Sequence, residues 1–390
     1  IGKGQIIVLT GQRRVGKSYI LRDFLERHKE DMQTNFIYIN KERKKFDAIK
    51  NNEQLNAYID EHWVEGLHNF ILIDEVQEIE SWEKSVRSYR TEEDTDIIIT
   101  GSNSKMLSSE LSTLIGGRYH EIYVQSLSYQ EFLLFHELED NDDALSKYIN
   151  YGGLPGLKQV GLDDEEFVWD YIRAVFHTVM LKDIVERNNI RNVSFLNTLL
   201  RYFADTIGKL SSLNNISKFM KSQGLDVSVK SIAAYLDYFR DAYLLLTVDR
   251  FDIHGKKLLK TKEKIYFGDV GLRNLIAGGE RQGDIEKILE NIVYQQLVRM
   301  GYAVSVGQLR AGEVDFVCTK SNERLYVQVA YLIASEETEE REFGSLDNIK
   351  DNYPKYVISM TPLVRRSDRQ GVVHLGLREF LKNGFEKKLP

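Results

Sequence analysis

The chain has 390 residues, 42% of them hydrophobic, and a formal net charge of −7 at pH 7. This length is typical of roughly two or three domains. The negative charge argues against non-specific coating of nucleic acid, although it leaves room for a local basic face. A single cysteine, Cys318, excludes an internal disulfide framework and a cysteine-based zinc site. No apolar run is long enough to cross a bilayer, so we expect a cytoplasmic protein without a membrane partner.

The first predicted element is a short buried strand at residues 6–10, and a glycine-rich segment follows it directly. This segment matches the phosphate-binding pattern G-x-x-x-x-G-K-[ST] and consists of Gly11, Gln12, Arg13, Arg14, Val15, Gly16, Lys17 and Ser18. Apolar residues at helical spacing come next, so a helix N-terminus would direct its N–H groups toward an anion. Lys17 would then contact the β- and γ-phosphates of ATP, and Ser18 would ligate Mg²⁺.

Three more strands are predicted at residues 35–40, 69–74 and 96–100, with polar or helical stretches between them. Such alternation favours right-handed crossovers and a parallel sheet. The strand at 69–74 ends in an acidic pair, Asp74 and Glu75. We expect Asp74 to hold Mg²⁺ and Glu75 to polarise the water that attacks the γ-phosphate. The alternative is that the pair only caps the next element.

Polar residues also follow the strand at 96–100. Ser102 or Asn103 would lie between the phosphate-binding loop and the acidic pair, where either could sense the γ-phosphate or orient water. A turn rich in Gly, Ser and Asn accounts for the same residues equally well. Arg118, just before a strand predicted at 119–124, could act as an arginine finger, or it could be a solvated or ion-paired arginine.

These features resemble a prokaryotic AAA-superfamily ATPase family whose C-terminal half carries a domain of unknown function. The similarity rests on the segments Leu9–Ser18, Gly117–Arg118 with Leu127–Phe132, and Tyr151–Pro155. It covers essentially the whole chain and implies an α/β fold: a P-loop NTPase parallel sheet, a helical and winged-helix region, and a restriction-endonuclease-like α/β domain. We therefore expect an ATPase domain at 1–135, a helical lid or linker at 136–193, a winged-helix-like domain at 194–255 and a restriction-endonuclease-like domain at 256–390.

The middle of the chain is predicted to be helical. Residues 164–191 have a helical pattern in which six residues lie roughly along one face: Phe167, Tyr171, Ala174, Val175, Thr178 and Leu181. Further on, helices at 213–220 and 228–236 flank a glycine-containing turn, which indicates a helix-turn-helix, and a strand follows at 242–248.

In a DNA-binding protein, the second of these helices would present its N-terminal residues to base edges. These residues are Ser228, Lys230 and Ser231. Nearby aspartates would repel phosphates, and modules of this kind also serve as packing or protein-binding elements. DNA and a protein partner therefore both remain open.

The last third of the chain carries part of a nuclease pattern. Glu290 on a predicted helix and Asp315 on a predicted strand match two positions of a restriction-type site, which gathers carboxylates around Mg²⁺ and uses a lysine. The next strand should supply an acid and a lysine, but Gln328 and Ala330 stand there. We therefore predict a nuclease-like core without cleavage activity. The acidic run Glu336–Glu342 is interpreted as a solvated helix face.

Two functions are compatible with these features. The first is a Mg²⁺-dependent ATPase that couples the nucleotide state to a C-terminal effector region, with nucleic acid, such as DNA, as the ligand of that region. The second is a nucleotide-gated switch or scaffold for a protein partner, with little turnover. Glu75 favours the first, because a pure nucleotide binder needs no residue that positions water. An arginine supplied in trans would require an oligomer, whereas Arg118 acting in cis permits a monomer.

Overall fold

The structure is a computed structural model that describes residues 6–104, 119–279, 282–310, 312–362, 367–369 and 371–385. The chain divides into two compact units, Ile1–Gln125 with Asp241–Tyr243 and Ser126–Arg240 with Leu244–Pro390. The four-part division predicted from the sequence is finer than this and stays a prediction. Within the described ranges, no helix is both long and apolar enough to cross a membrane.

The first unit contains a five-stranded parallel sheet. Its strands are β1 (Ile6–Thr10), β2 (Thr34–Asn40), β3 (His68–Asp74), β4 (Thr95–Gly101) and β5 (Tyr119–Tyr123). Its helices are α1 (Lys17–His28), α2 (Asn52–His62) and α3 (Trp82–Tyr89), with 3₁₀ turns at Lys44–Phe46 and Val76–Glu78. The spatial order is β2-β3-β4-β1-β5, and every neighbouring pair is parallel. The predicted parallel sheet is confirmed, and each strand lies within one residue of its predicted bounds.

Both faces of this sheet are buried, which explains the continuous apolar runs in its central strands. On one face, Ile73 and Ile99 belong to a large apolar cluster with Leu55 of α2. On the other face, Leu72 and Leu21 of α1 form a second cluster. Each such buried side chain contributes roughly 1.5–3 kcal/mol of transfer free energy. The core thus fixes the carboxyl ends of β1, β3 and β4 side by side, where the predicted site residues follow.

The second unit combines many helices with a large mixed sheet. Its helices are α4 (Tyr129–His136), α5 (Asp142–Tyr151), α6 (Leu157–Val160), α7 (Glu165–Thr178), α8 (Val193–Asp205), α9 (Leu213–Ser222), α10 (Val229–Asp241, whose last residue belongs to the first unit), α11 (Val270–Ala277), α12 (Ile285–Arg299), α13 (Glu336–Asp347) and α14 (Leu377–Asn383). A π-helix spans Val179–Glu186, and a 3₁₀ turn spans Gln282–Asp284.

The sheet of the second unit has eight strands. They are β6 (Leu245–Asp252), β7 (Lys257–Phe267), β8 (Ala303–Gln308), β9 (Glu313–Lys320), β10 (Glu323–Ala330), β11 (Lys355–Ser359), β12 (Ser367–Arg369) and β13 (Val372–Gly376). Their order is β12-β13-β11-β10-β9-β8-β6-β7. Helices α9 and α10 lie where the helix-turn-helix pattern predicts them. The strand after them, β6, pairs with β7 and, in parallel, with β8, so it belongs to this sheet.

The face predicted for residues 164–191 is right at Val175 and wrong at Phe167 and Leu181. The buried side chains of α7 are Val168, Ile172 and Val175. Phe167 and Leu181 are 62% and 52% exposed. Phe167 lies one position before the buried stripe. After α7, the π-helix winds with i→i+5 hydrogen bonds, so an α-helical period no longer predicts which side chains face inward.

The segment Tyr151–Pro155 has a structural explanation. The backbone N–H of Gly153 donates to Asp269 Oδ2 at 2.9 Å. Gly152 has a φ of +74°, and a Cβ atom there would lie 2.3 Å from Asp269 Oδ1. A Cβ atom on Gly153 would lie 2.3 Å from the carbonyl oxygen of Leu127. Both glycines are therefore required by close backbone approaches, and Asp269 connects this segment to the start of α11.

Candidate nucleotide-binding site

The predicted phosphate-binding loop connects β1 to α1. Gly11 has a φ of +139°, and a Cβ atom at this position would lie 2.1 Å from the carbonyl oxygen of Val124. Gly16, with a φ of +105°, immediately precedes α1. Both positions lie in the region of φ that favours glycine. The two glycines thus let the chain turn sharply from a buried strand into a helix N-terminus, which is the geometry that binds phosphate.

Lys17 extends its side chain back across this loop. Its Nζ atom donates to the carbonyl oxygens of Gly11 and Gln12, both at 2.8 Å, and the residue is buried. Hydrogen bonds from an ammonium to an anionic oxygen are stronger than those to a neutral carbonyl. The loop therefore holds a positive charge that a phosphate oxygen can attract.

Asp74 lies at the end of β3 and is fully buried. Its Oδ1 atom accepts hydrogen bonds from Ser18 Oγ at 3.0 Å and from Thr100 Oγ1 at 2.6 Å. Its Oδ2 atom accepts from Asn40 Nδ2 at 2.8 Å. Side chains from α1, β2 and β4 thus fix the orientation of this carboxylate beside the Ser18 hydroxyl.

Ser18 and Asp74 are the residues that could hold Mg²⁺. In the part of the chain that the structure describes, no group of three or more His, Cys, Asp and Glu side chains is arranged to hold a metal ion. A Mg²⁺ ion keeps several waters and commonly binds through one or two protein oxygens plus substrate phosphates. The oxygen pair of Ser18 and Asp74 fits that mode of binding, because the phosphates would complete the coordination.

Glu75 has an unusual backbone conformation, with φ 58° and ψ 54°. A non-glycine residue in this left-handed region costs of order 1 kcal/mol, and such residues cluster at active sites. The N–H of Glu75 donates to Thr100 Oγ1 at 3.0 Å. Its carboxylate accepts hydrogen bonds from Ser102 Oγ at 3.2 Å and from Gln77 Nε2. Hydrogen bonds thus fix both the backbone N–H and the carboxylate of this buried residue.

The structure thus brings together five of the predicted site residues: Lys17, Ser18, Asp74, Glu75 and Ser102. Of the two alternatives after β4, Ser102 contacts Glu75, and Asn103 is also buried. Arg118 lies outside the described residues.

The remaining loop residues differ in their surroundings. Arg13 pairs with Glu42 at 3.3 Å, Arg14 is exposed with a φ of 70°, and Val15 is buried. Gln12 is 2% exposed, and neither of its side-chain amide atoms has a hydrogen-bond partner among the described residues. Leaving a buried polar group without a partner costs free energy, so a ligand oxygen or water at this loop would relieve that cost.

Three residues of the site were missed by the sequence analysis. Thr100 connects Asp74 to Glu75, Asn40 orients Asp74, and Gln77 contacts Glu75. Thr100 and Asn40 are polar residues at the carboxyl ends of apolar strands that neighbour β3. That position could have identified them, because these strand ends meet at the ligand-binding edge of a parallel sheet.

The nuclease-like positions lie close together in the second unit. Glu290 of α12 and Asp315 of β9 both accept hydrogen bonds from Lys264 Nζ, at 2.6 and 3.2 Å. Gln328 of β10 accepts from the N–H of Asp315 at 3.2 Å and donates to Glu342 at 3.1 Å. Lys264 was missed by the sequence analysis. The solvated interpretation of the acidic helix is wrong for Glu342. This residue is buried, and its carboxylate accepts hydrogen bonds from Gln328 and Arg341.

Comparison with known proteins identifies the family of this chain. Residues 3–133 match the AAA domain family, and residues 142–282 match a domain of unknown function. An uncharacterized protein of Haemophilus influenzae is 37% identical over 362 residues, which cover 91% of this chain and 88% of that protein. The chain belongs to this family of AAA-domain proteins. An uncharacterized protein of Methanocaldococcus jannaschii is 30% identical over 367 residues, covering 89% of this chain and 79% of that protein.

The fold of the AAA-domain protein is similar to that of a solved structure. The Walker-type ATPase PABY2304 of Pyrococcus abyssi aligns with 70% of this chain and 90% of its own, with a TM-score of 0.50 and 15% identity. At this identity, the similarity concerns the fold alone. It supports the P-loop NTPase architecture of the AAA domain.

The contacts of Thr100 lead to a prediction for the AAA domain. Thr100→Val removes the hydroxyl that donates to Asp74 and accepts from the N–H of Glu75. Each hydrogen bond to a buried charged group is worth about 1.5–3 kcal/mol. We expect ATP turnover to fall by at least about 10-fold, since 1.4 kcal/mol of lost transition-state stabilisation has that effect. Phosphate release measured at saturating ATP checks this.

The matched control is Thr95→Val at the other end of the same strand. Thr95 is also buried, and its hydroxyl donates to the carbonyl oxygen of Glu93 at 3.4 Å. This control variant should keep the wild-type turnover. Equal losses in both variants would mean that Thr100 supports β4 rather than the site.

Proposed function

We propose that this protein binds ATP with Mg²⁺ in its AAA domain, hydrolyses it, and couples the nucleotide state to a C-terminal effector region. The observation that carries the proposal is the convergence of Lys17, Ser18, Asp74 and Glu75 at adjacent strand ends. The buried amide of Gln12, which has no partner among the described residues, supports a ligand at the same loop.

Each residue has a role in the proposed reaction. Lys17 exchanges its carbonyl partners for β- and γ-phosphate oxygens. Ser18 and Asp74 would hold Mg²⁺, which when bound neutralises charge on the phosphates. Glu75 accepts a proton from the attacking water, and Ser102 helps to orient the Glu75 carboxylate. The water oxygen forms a bond to the γ-phosphorus while the bond to the β,γ-bridging oxygen breaks, and ADP leaves with that electron pair.

For the effector region, we propose a winged-helix-like part around α9 and α10 and a restriction-endonuclease-like core around β9 and β10. The two helices, and the proximity of Glu290 to Asp315, support this assignment. Cleavage of DNA is not proposed, because Gln328 and Ala330 stand where an acid and a lysine are required. DNA would then be bound without being cut.

A protein partner is the second candidate for the effector region, with the protein acting as a nucleotide-gated switch. The ion pairs around α10 favour a protein partner over DNA. Lys221 pairs with Asp226 at 3.1 Å, and Arg240 pairs with Asp237 at 3.5 Å. These pairs neutralise cations that could otherwise contact DNA phosphates.

The test is to measure ATP binding and phosphate release with Mg²⁺, with and without duplex and single-stranded DNA. Lys17→Ala should abolish detectable turnover and weaken ATP binding by at least about 10-fold, which is 1.4 kcal/mol. The matched control is Lys29→Ala, an exposed lysine just after α1, which should behave as wild type.

The possible results separate the alternatives. Turnover that DNA stimulates favours an effector that binds nucleic acid, and Lys230 would be substituted next. Turnover that is indifferent to DNA favours a protein partner. Binding without turnover favours the nucleotide-gated switch, whereas a wild-type protein that binds ATP no better than Lys17→Ala contradicts the proposed function.

A further inference from the structure

A lysine side chain lies at the centre of three carboxylates in the second unit. Lys264 Nζ is 2.6 Å from Glu290 Oε1, 2.9 Å from Glu313 Oε1 and 3.2 Å from Asp315 Oδ1. The lysine side chain is 2% exposed. We propose that the Lys264 ammonium takes the place of a divalent cation among these carboxylates, so that the domain carries an internal cation there and binds no metal ion.

The hydrogen bonds of Lys264 support this role. An ammonium group has three N–H donors, and three carboxylate oxygens lie within reach of it. No donor is left to contact a phosphate or a water molecule. Burial alone would lower the pKa of Lys264, but the carboxylates of Asp315, Glu290 and Glu313 raise it above its usual value. The group therefore stays charged and cannot act as a general base.

Two of the carboxylates, those of Glu290 and Asp315, are also oriented by protein groups on their other sides. The hydroxyl of Tyr266 donates to Glu290 Oε1 at 2.5 Å, and the N–H of Val329 donates to Asp315 Oδ2 at 2.9 Å. Gly208 lies so close to the Glu290 carboxylate that a Cβ atom on it would lie 2.9 Å from Glu290 Oε2. A metal ion is thus not needed to hold these groups in place.

Lys264 supplies the positive charge that these three carboxylates share. Removing one partner of a buried ion pair leaves an uncompensated charge. Without Lys264, the three carboxylates would therefore favour another cation.

The test uses Mn²⁺ as the probe, in the absence of nucleotide, with bound Mn²⁺ counted by electron paramagnetic resonance. We expect wild type and Glu290→Gln to bind equal amounts of Mn²⁺. Lys264→Met should bind one additional Mn²⁺ per chain, and the double variant Lys264→Met/Glu290→Gln should lose it. Mn²⁺ should also raise the melting temperature of Lys264→Met more than that of wild type.

Three results would overturn the inference. The first is a Mn²⁺ ion in wild type that Glu290→Gln removes. The second is a metal-dependent DNA cleavage that the same substitution abolishes, and the third is a folded Lys264→Met protein that gains no Mn²⁺. If Lys264→Met does not fold, the comparison of wild type with Glu290→Gln still decides the question. Because nucleotide is absent, the outcome is independent of ATP hydrolysis in the AAA domain.

Discussion

Glu75→Gln is expected to lower ATP turnover at least about 100-fold, the lower end of the usual contribution of a general base. The amide has nearly the same shape as the carboxylate and can still accept hydrogen bonds from Ser102 and Gln77, but it cannot take a proton from water. ATP binding should change little, because Lys17 and Ser18 are unaffected. Single-turnover phosphate release and the dissociation constant of ATP, measured on the same preparation, separate the two effects.

Glu78→Gln is the matched control for this prediction. Glu78 is exposed and ends the 3₁₀ turn that Glu75 precedes. Its substitution changes the net charge by the same amount and should leave turnover unchanged. Wild-type turnover in Glu75→Gln would show that another group accepts the proton, and it would contradict the role proposed for Glu75.

The residues of the AAA site could be predicted from the sequence because the signals are local. The loop from Gly11 to Ser18 is one continuous pattern, and Asp74 with Glu75 ends an apolar strand. The left-handed conformation of Glu75 was not predictable, since no glycine or asparagine marks it. The position of the Thr100 hydroxyl between Asp74 and Glu75 was not predictable either, because these contacts depend on the pairing of β3 with β4.

The residues of the predicted nuclease pattern show the limit of local patterns more clearly. The sequence pattern requires a lysine two residues after an acid on one strand, and Ala330 stands there. The lysine that contacts Glu290 and Asp315 instead comes from β7, at Lys264. No spacing rule connects these residues, because they lie on different elements that only the folded sheet brings together. Similarly, Glu342 is buried and contacts Gln328 of β10, although its own helix is strongly acidic.

Asp269 approaches Gly152 closely and accepts a hydrogen bond from Gly153, and it carries a large predicted effect on stability. Its carboxylate accepts three backbone hydrogen bonds: from Gly153 at 2.9 Å, from Gly271 at 2.9 Å and from Leu272 at 3.2 Å. The residue is 1% exposed. Burial raises the pKa of Asp269, and the three N–H groups partly offset this by favouring the charged carboxylate.

Asp269→Ala is expected to lower the free energy of unfolding of the second unit by about 4 kcal/mol, because each buried N–H left without an acceptor costs about 1–3 kcal/mol. Asp269→Asn keeps one acceptor oxygen and has no charge to desolvate, so its loss should be about half as large. Urea denaturation measures both, and hydrogen exchange should show faster exchange at Gly153, Gly271 and Leu272.

Asp164→Ala is the control that isolates the contribution of burial to the predicted loss of stability. Asp164 also caps a helix, since its Oδ1 atom accepts from the N–H groups of Glu166 and Phe167, but this cap is exposed. Water can replace an exposed cap, so we expect a loss of about 1 kcal/mol. If Asp269→Ala costs no more than this, the Asp269 carboxylate does not hold the glycine segment against α11. A loss several times larger would mean that this buried carboxylate is a main tie between the start of α11 and the end of α5.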